Sequence, residues 1–274
     1  TYVTAYNTNM VANESFIDSA TLRENVVALA RNVGYVPSSR RAATANVSFT
    51  VDLGSGTSKS SVTLKAGLVA LGDFANTNYT FCTPEDITSP VTDGFAEFTI
   101  DIKQGTFVTN EFVVDTSQPN QKYILPNPYI DTSTLKVQVR DTLTSSSRKT
   151  YSQIDNIVGI STHSETFLIQ EIQDEKYELL FGDGVLGKRL SNGNVINSTY
   201  IVTDGVGGNG VANFSFAGKL VDNDGGLITS GISDIITNER SSNGAEVESI
   251  DTIRNLSTRV YSAQHRAVTA NDYE

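Results

Sequence analysis

Six residues, Gly182-Asp183-Gly184-Val185-Leu186-Gly187, match the Gly-x-Gly-x-x-Gly fingerprint of a dinucleotide site. They follow a stretch of strand character, Tyr177 to Phe181. The fingerprint holds a pyrophosphate only where a helix N-terminus comes next, because that end supplies free N–H groups and a positive dipole. Here Lys188-Arg189-Leu190-Ser191-Asn192-Gly193 follows and runs into another glycine turn, with no βαβ unit around it. The residues therefore read as a turn between strands, with Gly182, Gly184 and Gly187 as its structural positions. Asp222-Asn223-Asp224-Gly225-Gly226 has the composition of a calcium loop. An EF-hand register beginning at Asp222 requires Gly and a carboxylate where Leu227 and Ser233 stand, so a solvated Asx-rich turn is the better reading.

Other chemistry finds no frame. His163 and His265 are far apart in sequence, and no Gly-x-Ser-x-Gly elbow occurs. The single Cys rules out an intrachain disulfide and a Cys-based zinc cluster. Cys82 lies in the strand-like Tyr79-Thr80-Phe81-Cys82 and reads as a small buried hydrophobe. Carboxylates are abundant, but nothing singles out two of them as a glycosidase pair. Asn46, Asn78, Asn197, Asn213 and Asn255 head glycosylation sequons of the kind that arise by chance in a chain rich in Asn, Ser and Thr. The expectation is a protein that is not an enzyme, with no cofactor and no metal.

Charge narrows the partners. Lys and Arg number 20 against 31 Asp and Glu, a formal charge of −11 over 274 residues. Such a balance argues against non-specific nucleic-acid binding and against docking on an anionic membrane. No apolar run approaches the roughly 20 residues that span a bilayer, and no signal peptide is visible. Hydrophobic content is 38%, yet the apolar residues fall in short alternating runs that bury one face of a sheet.

The elements that must position these residues follow from periodicity. Residues 1–34 read as helical. Val3, Tyr6, Met10 and Ile17 form one spaced stripe; Leu22, Val26, Leu29, Ala30 and Val33 form another. Thr21 and Glu24 have the spacing of a capping box. Gly34 suits the left-handed position after a helix, and Pro37 keeps the helix from resuming. From Ala45 the period becomes two. Val47, Phe49 and Val51, then Val62, Leu64 and Ala66 beyond the Gly54-Ser55-Gly56 turn, and Phe98, Ile100 and Ile102 predict strands. Gln104-Gly105 predicts a tight hairpin, or a longer loop or bulge, into Val108, Phe112 and Val114. Further strands are predicted around Leu135–Val139, Phe167–Ile172, Tyr177–Phe181, Thr199–Val202, Val211–Phe216 and Ile232–Ile236. Polar loops are expected over 142–149 and 218–231.

Residues 246–264 return to helical spacing through Val247, Ile250, Ile253, Leu256 and Val260. Thr269 and Asp272 begin another helix, which leads to the expectation that more polypeptide follows. The fold class is thus α+β, mainly β, with an antiparallel β-rich body between N- and C-terminal helices. The division is 1–44 helical, 45–240 β-rich body with room for two subdomains, and 241–274 helical, leading into a further domain. A lone helix of about 12–15 residues is marginal without packing, so the first stripe must cover either the β core or another chain.

These residues also carry a resemblance. Leu22-Arg23-Glu24-Asn25-Val26-Val27-Ala28-Leu29-Ala30-Arg31-Asn32-Val33-Gly34-Tyr35-Val36-Pro37-Ser38-Ser39, followed by Arg41-Ala42-Ala43, resembles the opening of baseplate J-like proteins, wedge subunits of contractile phage tails and related injection machines. Gln121 to Arg140, with Leu125-Pro126-Asn127, Ile130-Asp131 and Leu135-Lys136-Val137-Gln138-Val139, is similar to wedge subunits of T-even-like bacteriophages. So are Phe181-Gly182-Asp183-Gly184 with Gly187 and Gly193, the Gly-rich Gly205 to Gly210, and the tail from Ala263 to Glu274. The matches keep the family's order; 54–80 and 218–242 carry little of it.

The resemblance implies a structural protein of the virion tail baseplate, assembled in the host cytoplasm. It implies partners among copies of itself and other wedge and hub proteins, in a ring around the hub. It also implies a part in the rearrangement that releases sheath contraction, with no catalytic residues. Val3, Tyr6, Met10, Ile17, Val260, Tyr261 and Arg266 are the candidate contact residues. The alternative is a carbohydrate-binding β module of a tail or secreted protein, which needs exposed aromatics flanking a shallow groove; the absence of Trp weighs against it.

Overall fold

The computed structural model describes residues 2–118, 120–154 and 159–263, with side chains for all of these except 2–6 and 263. The chain opens with α1 (Tyr2–Glu14) and α2 (Arg23–Asn32). Gly34, at φ 87°, ends α2. Its N–H reaches Arg31 and that of Tyr35 reaches Ala30, the paired closure that a left-handed glycine permits.

The start of α2 differs from the expected capping box. Leu22 precedes the helix without a side-chain cap. Glu14 supplies one from the end of α1: its carboxylate accepts from the N–H groups of Thr21 and Leu22 and from the Thr21 hydroxyl. A carboxylate at a helix N-terminus satisfies free donors and meets the positive end of the dipole, so Glu24 is not needed there.

Strands β1 (Thr44–Asp52), β2 (Ser61–Leu64), β3 (Gly67–Phe74), β4 (Thr77–Thr83), β5 (Ile87–Thr92) and β6 (Phe95–Gln104) build most of a first sheet. β1 and β6 pair antiparallel from Thr44↔Lys103 to Asp52↔Phe95. Every second residue of both is buried, as the sequence alternation requires. Phe49 and Phe98 sit opposite each other with rings stacked at 5.0 Å.

Gly105 then does something the sequence reading missed. No hairpin forms there. β7 (Thr106–Val113) leaves the first sheet and pairs with β13 (Val195–Val202) of a second one. Gly105, at φ 135°, is the whole connection. A Cβ there would overlap the carbonyl of Val202, so only glycine lets the sheets approach this closely.

The second sheet continues through β8 (Tyr123–Ile124), β9 (Ile130–Arg140), β10 (Arg148–Gln153), β11 (Thr166–Glu171) and β12 (Tyr177–Phe181). Its order is β7-β13-β9-β10-β11-β12-β8. The β10–β11 pair is parallel; the other named pairs are antiparallel. The sheet curls until its edges meet. Phe112 of β7 touches Tyr123 of β8 at 5.8 Å. The Gln121 amide spans the seam, accepting from the Asp115 N–H and donating to the Val113 carbonyl. Inside lie Leu125, Ile130, Val137, Phe167, Leu179, Ile196 and Tyr200. The buried Tyr200 hydroxyl is satisfied by Asn127 at 2.8 Å.

The chain returns to the first sheet as β14 (Asn213–Phe216), β15 (Leu220–Asp222), β16 (Leu227–Ile228) and β17 (Ile236–Ser242). The last strand lies later than the predicted Ile232–Ile236; Ile232 makes only a bridge to Val51. The expected loop over 218–231 contains β15 and β16. β17 pairs with β1, and on its other side Ser241 bonds Val211 in both directions, so the first sheet also rolls up. The junction of the sheets combines buried apolar packing with side-chain hydrogen bonds. Ala42, Cys82 and Ile201 are buried together against Phe107. Gln104 bonds Thr203 and Asp204, and Asp131 accepts from the Ala42 N–H.

α3 (Ile250–Ala263) closes the described fold, four residues later than expected. The Ser249 hydroxyl accepts from the Thr252 N–H and caps it. α3 packs on α2 through Ile253 against Val26, Val27 and Ala30, with Ala20 beneath. The start of a helix expected at Thr269 and Asp272 lies outside the described residues.

Candidate protein interface

Four of the residues singled out in sequence, Met10, Ile17, Val260 and Tyr261, have described side chains in or beside the helices. α1 carries no charge except Glu14, and that carboxylate is fully engaged by Thr21, Leu22 and Asn25. Asn25, Thr21 and Leu22 hold its pKa far below the ordinary range, at about 2, because each donates to the charged form. Met10 is 45% exposed, and Val11 and Phe16 are each 68% exposed. Asn7, Met10, Val11, Glu14, Ser15 and Asn25 line a shallow groove of about 530 Å³ between α1 and α2.

Val3 and Tyr6 belong to α1, but their side chains lie outside the described residues, as does Arg266. Ile17 is not on α1, which ends at Glu14. It sits in the following turn, half-buried against the α2–α3 cluster, where Arg254 of α3 donates to its carbonyl at 2.9 Å and to that of Ala20. On α3, Val260 is half-buried and Tyr261 is 69% exposed. Ile17 thus serves as packing in the α2–α3 cluster, while Met10 on α1 and Tyr261 on α3 are exposed. Val11 and Phe16 were missed, because neither falls on the assumed stripe.

The glycine turn stands at the far end of β12. Asp183 accepts from the N–H groups of Val185 and Leu186 at 2.8 and 2.9 Å, and these two bonds lower its pKa. Gly184 and Gly187 have φ of 93° and 84°. Gly182 is different: its backbone is ordinary, but a Cβ would overlap the backbone of Gly187. No helix follows; Gly182 instead bridges Arg189. The N–H groups that would cradle a pyrophosphate are committed within the fold: those of Val185 and Leu186 to Asp183, that of Gly184 to the Gly187 carbonyl and that of Gly187 to the Ser161 carbonyl.

The acidic loop after β15 is likewise committed. Lys59 reaches Asp222 at 2.7 Å and Asp224 at 2.6 Å, and Asp222 accepts from the Gly226 N–H. Among the described residues no group of three or more His, Cys, Asp or Glu side chains is placed to hold a metal ion, and no helix is long and apolar enough to cross a membrane. A polar groove of about 350 Å³ runs along Asp115, Gln121, Tyr123, Glu178 and Arg189. In it Tyr123 packs edge-on against Phe112 and Phe181.

No protein-family model matches the chain. The baseplate wedge protein gp6 of Enterobacteria phage T4 is 28% identical to it over 298 residues, which take in 98% of this chain and 43% of that protein. The chain therefore spans less than half the length of the curated relative it matches, and over nearly all of its own length it is similar to a baseplate wedge protein.

Proposed function

We propose that this chain is part of a structural baseplate wedge protein of a contractile phage tail and has no catalytic role. It assembles with copies of itself and with other wedge and hub proteins into the ring around the hub, and it takes part in the rearrangement that releases sheath contraction. It acts in the virion tail after assembly in the host cytoplasm. In this reading residues 1–44 are the interaction element, 45–240 the body, and 241–274 the link to a further domain. The observation that carries the proposal is the similarity to the T4 wedge protein across 98% of the chain. Exposed Met10, Val11 and Phe16 support the placement of the contact. Burying one such side chain is worth roughly 1.5–3 kcal/mol, so a few of them anchor a protein contact.

The test is co-expression with other baseplate wedge proteins, followed by size-exclusion chromatography. A joint complex is expected, and Met10→Asp with Val11→Asp should abolish it while the thermal midpoint of the chain alone stays put. Absence of any complex with the unaltered chain overturns the wedge reading. A complex that survives the double substitution moves the contact off α1. A sharp fall in the midpoint makes α1 part of the core instead.

A further inference from the structure

The helical layer is joined to the second sheet by charge and not by apolar packing. Its own cluster is built from Ala20, Val26, Val27, Ala30 and Ile253, with Ile17, Leu29, Tyr35 and Ile250 at the edges, and includes no residue of either sheet. What crosses the seam is polar. Arg23 of α2 grips Glu171 at the end of β11 through two nitrogens, at 2.7 and 3.1 Å, and also donates to the Glu248 carbonyl before α3. Arg40, on the connector after α2, lies 4.1 Å over the Tyr129 ring. It pairs with Glu246 at 2.9 Å and with Glu175 at 3.5 Å. Beside Arg23 a crevice of about 220 Å³ follows the seam, lined by Leu22, Arg23 and Glu24 on one side and by Glu171 to Glu175 on the other.

Backbone strain gathers at the same place. Eight non-glycine residues among those described have positive φ. Tyr129 at 62°, Asp174 at 61° and Glu175 at 54° form the sheet side of this seam, and Asn243 at 65° begins the connector to α3. Such conformations persist where surrounding contacts hold them, and they collect at switch regions. An apolar seat resists separation through water exclusion. A seat of ion pairs over a crevice returns both charges to water when it opens, and their regained hydration offsets the lost contacts.

We propose that Arg23 and Arg40 form a releasable latch that seats the α2–α3 layer on the second sheet, and that breaking it frees the layer as a unit while both sheets stay folded. The layer carries its own core, so it moves without unfolding. Release exchanges the guanidinium–carboxylate contacts for solvent and lets Tyr129, Asp174 and Glu175 relax. The latch is a property of this chain and does not depend on which assembly it enters.

The experiment measures spin-label distances in the full chain, with Cys82 left buried. One pair joins Asn255→Cys on α3 to Ser146→Cys in the loop after β9; a control pair joins Ser146→Cys to Val185→Cys within the second sheet. All three positions are exposed. Removing Arg23 alone strands a buried carboxylate, so the release variant combines Arg23→Gln, Glu171→Gln and Arg40→Gln. The across-seam distribution should gain a second, longer population about tenfold larger than in the unaltered chain, while the control pair keeps one narrow distance. An across-seam distance that stays single in the variant overturns the latch. So does a control pair that broadens in step with the across-seam pair.

Discussion

The side-chain amide of Asn25 donates to the carboxylate of Glu14 at 2.8 Å, fastening the last turn of α1 to the first turn of α2. Glu14 is therefore both the end of one helix and the cap of the next. A carboxyl whose folded-state pKa is lowered stabilises the fold above its unfolded value and loses that contribution as pH falls through the folded one. For Glu14 the window runs from the ordinary 4.5 down to about 2. Carbon-detected NMR of the Glu14 carboxyl should show a midpoint near 2, and Asn25→Ala should move it up. A midpoint in the ordinary range in the unaltered chain would show the elbow to be open in solution.

The glycine turn separates two kinds of constraint. Gly184→Ala meets no backbone; its nearest neighbour is the Arg189 Cβ at 3.5 Å. It forces positive φ on alanine and should cost about 1 kcal/mol. Gly182→Ala keeps an allowed backbone but drives a methyl into Gly187, an overpacking that should cost about 2–3 kcal/mol. Urea midpoints compare the two, and the reverse order would refute this account.

Burial pushes the Cys82 thiol up to about 12, and Cys82 is 1% exposed between the sheets. Reaction requires the thiolate. A disulfide reagent at pH 8 should leave the native chain unmodified and label it fully in denaturant. Labelling without denaturant would mean that the sheets part.

Gln121 closes the second sheet where no strand pair does. Gln121→Ala removes the acceptor of the Asp115 N–H and the donor to Val113, at a cost of about 1–2 kcal/mol. Hydrogen exchange at the Asp115 amide should accelerate, with Ile196 in the centre of the sheet unaffected. Unchanged exchange at Asp115 would assign the closure to the Phe112–Tyr123 contact alone.

Much of the body was legible because its strands are half-buried, and alternation then marks both strand and face. Val47, Phe49 and Val51, and Phe98, Ile100 and Ile102, fall inward as read. Tyr177–Phe181 was placed to the residue. The hairpin at Asp93-Gly94, with φ of 52° and 89°, had a strong local signal in its Asp-Gly pair and was overlooked. Gly105 was misread for a different reason. Its glycine is required by Val202, which lies almost a hundred positions away in sequence, and no local pattern reports that approach. The capping of α2 by Glu14 is hidden in the same way, since a cap that reaches across a turn has no fixed spacing. Of the interface candidates, exposure at Met10 and Tyr261 could be placed, whereas Ile17 required knowing where α1 stops.

The pairing of α2 with α3 also fixes how a pull on this chain would be carried. The two helices touch each other directly, and Arg254 pins the turn before α2 to α3. Tension entering ahead of α2 and leaving beyond α3 passes across that contact, by the shortest route, and leaves the two rolled sheets slack. They hang from the line of force like a pendant from a clasp, and they bear load only after the clasp has slipped.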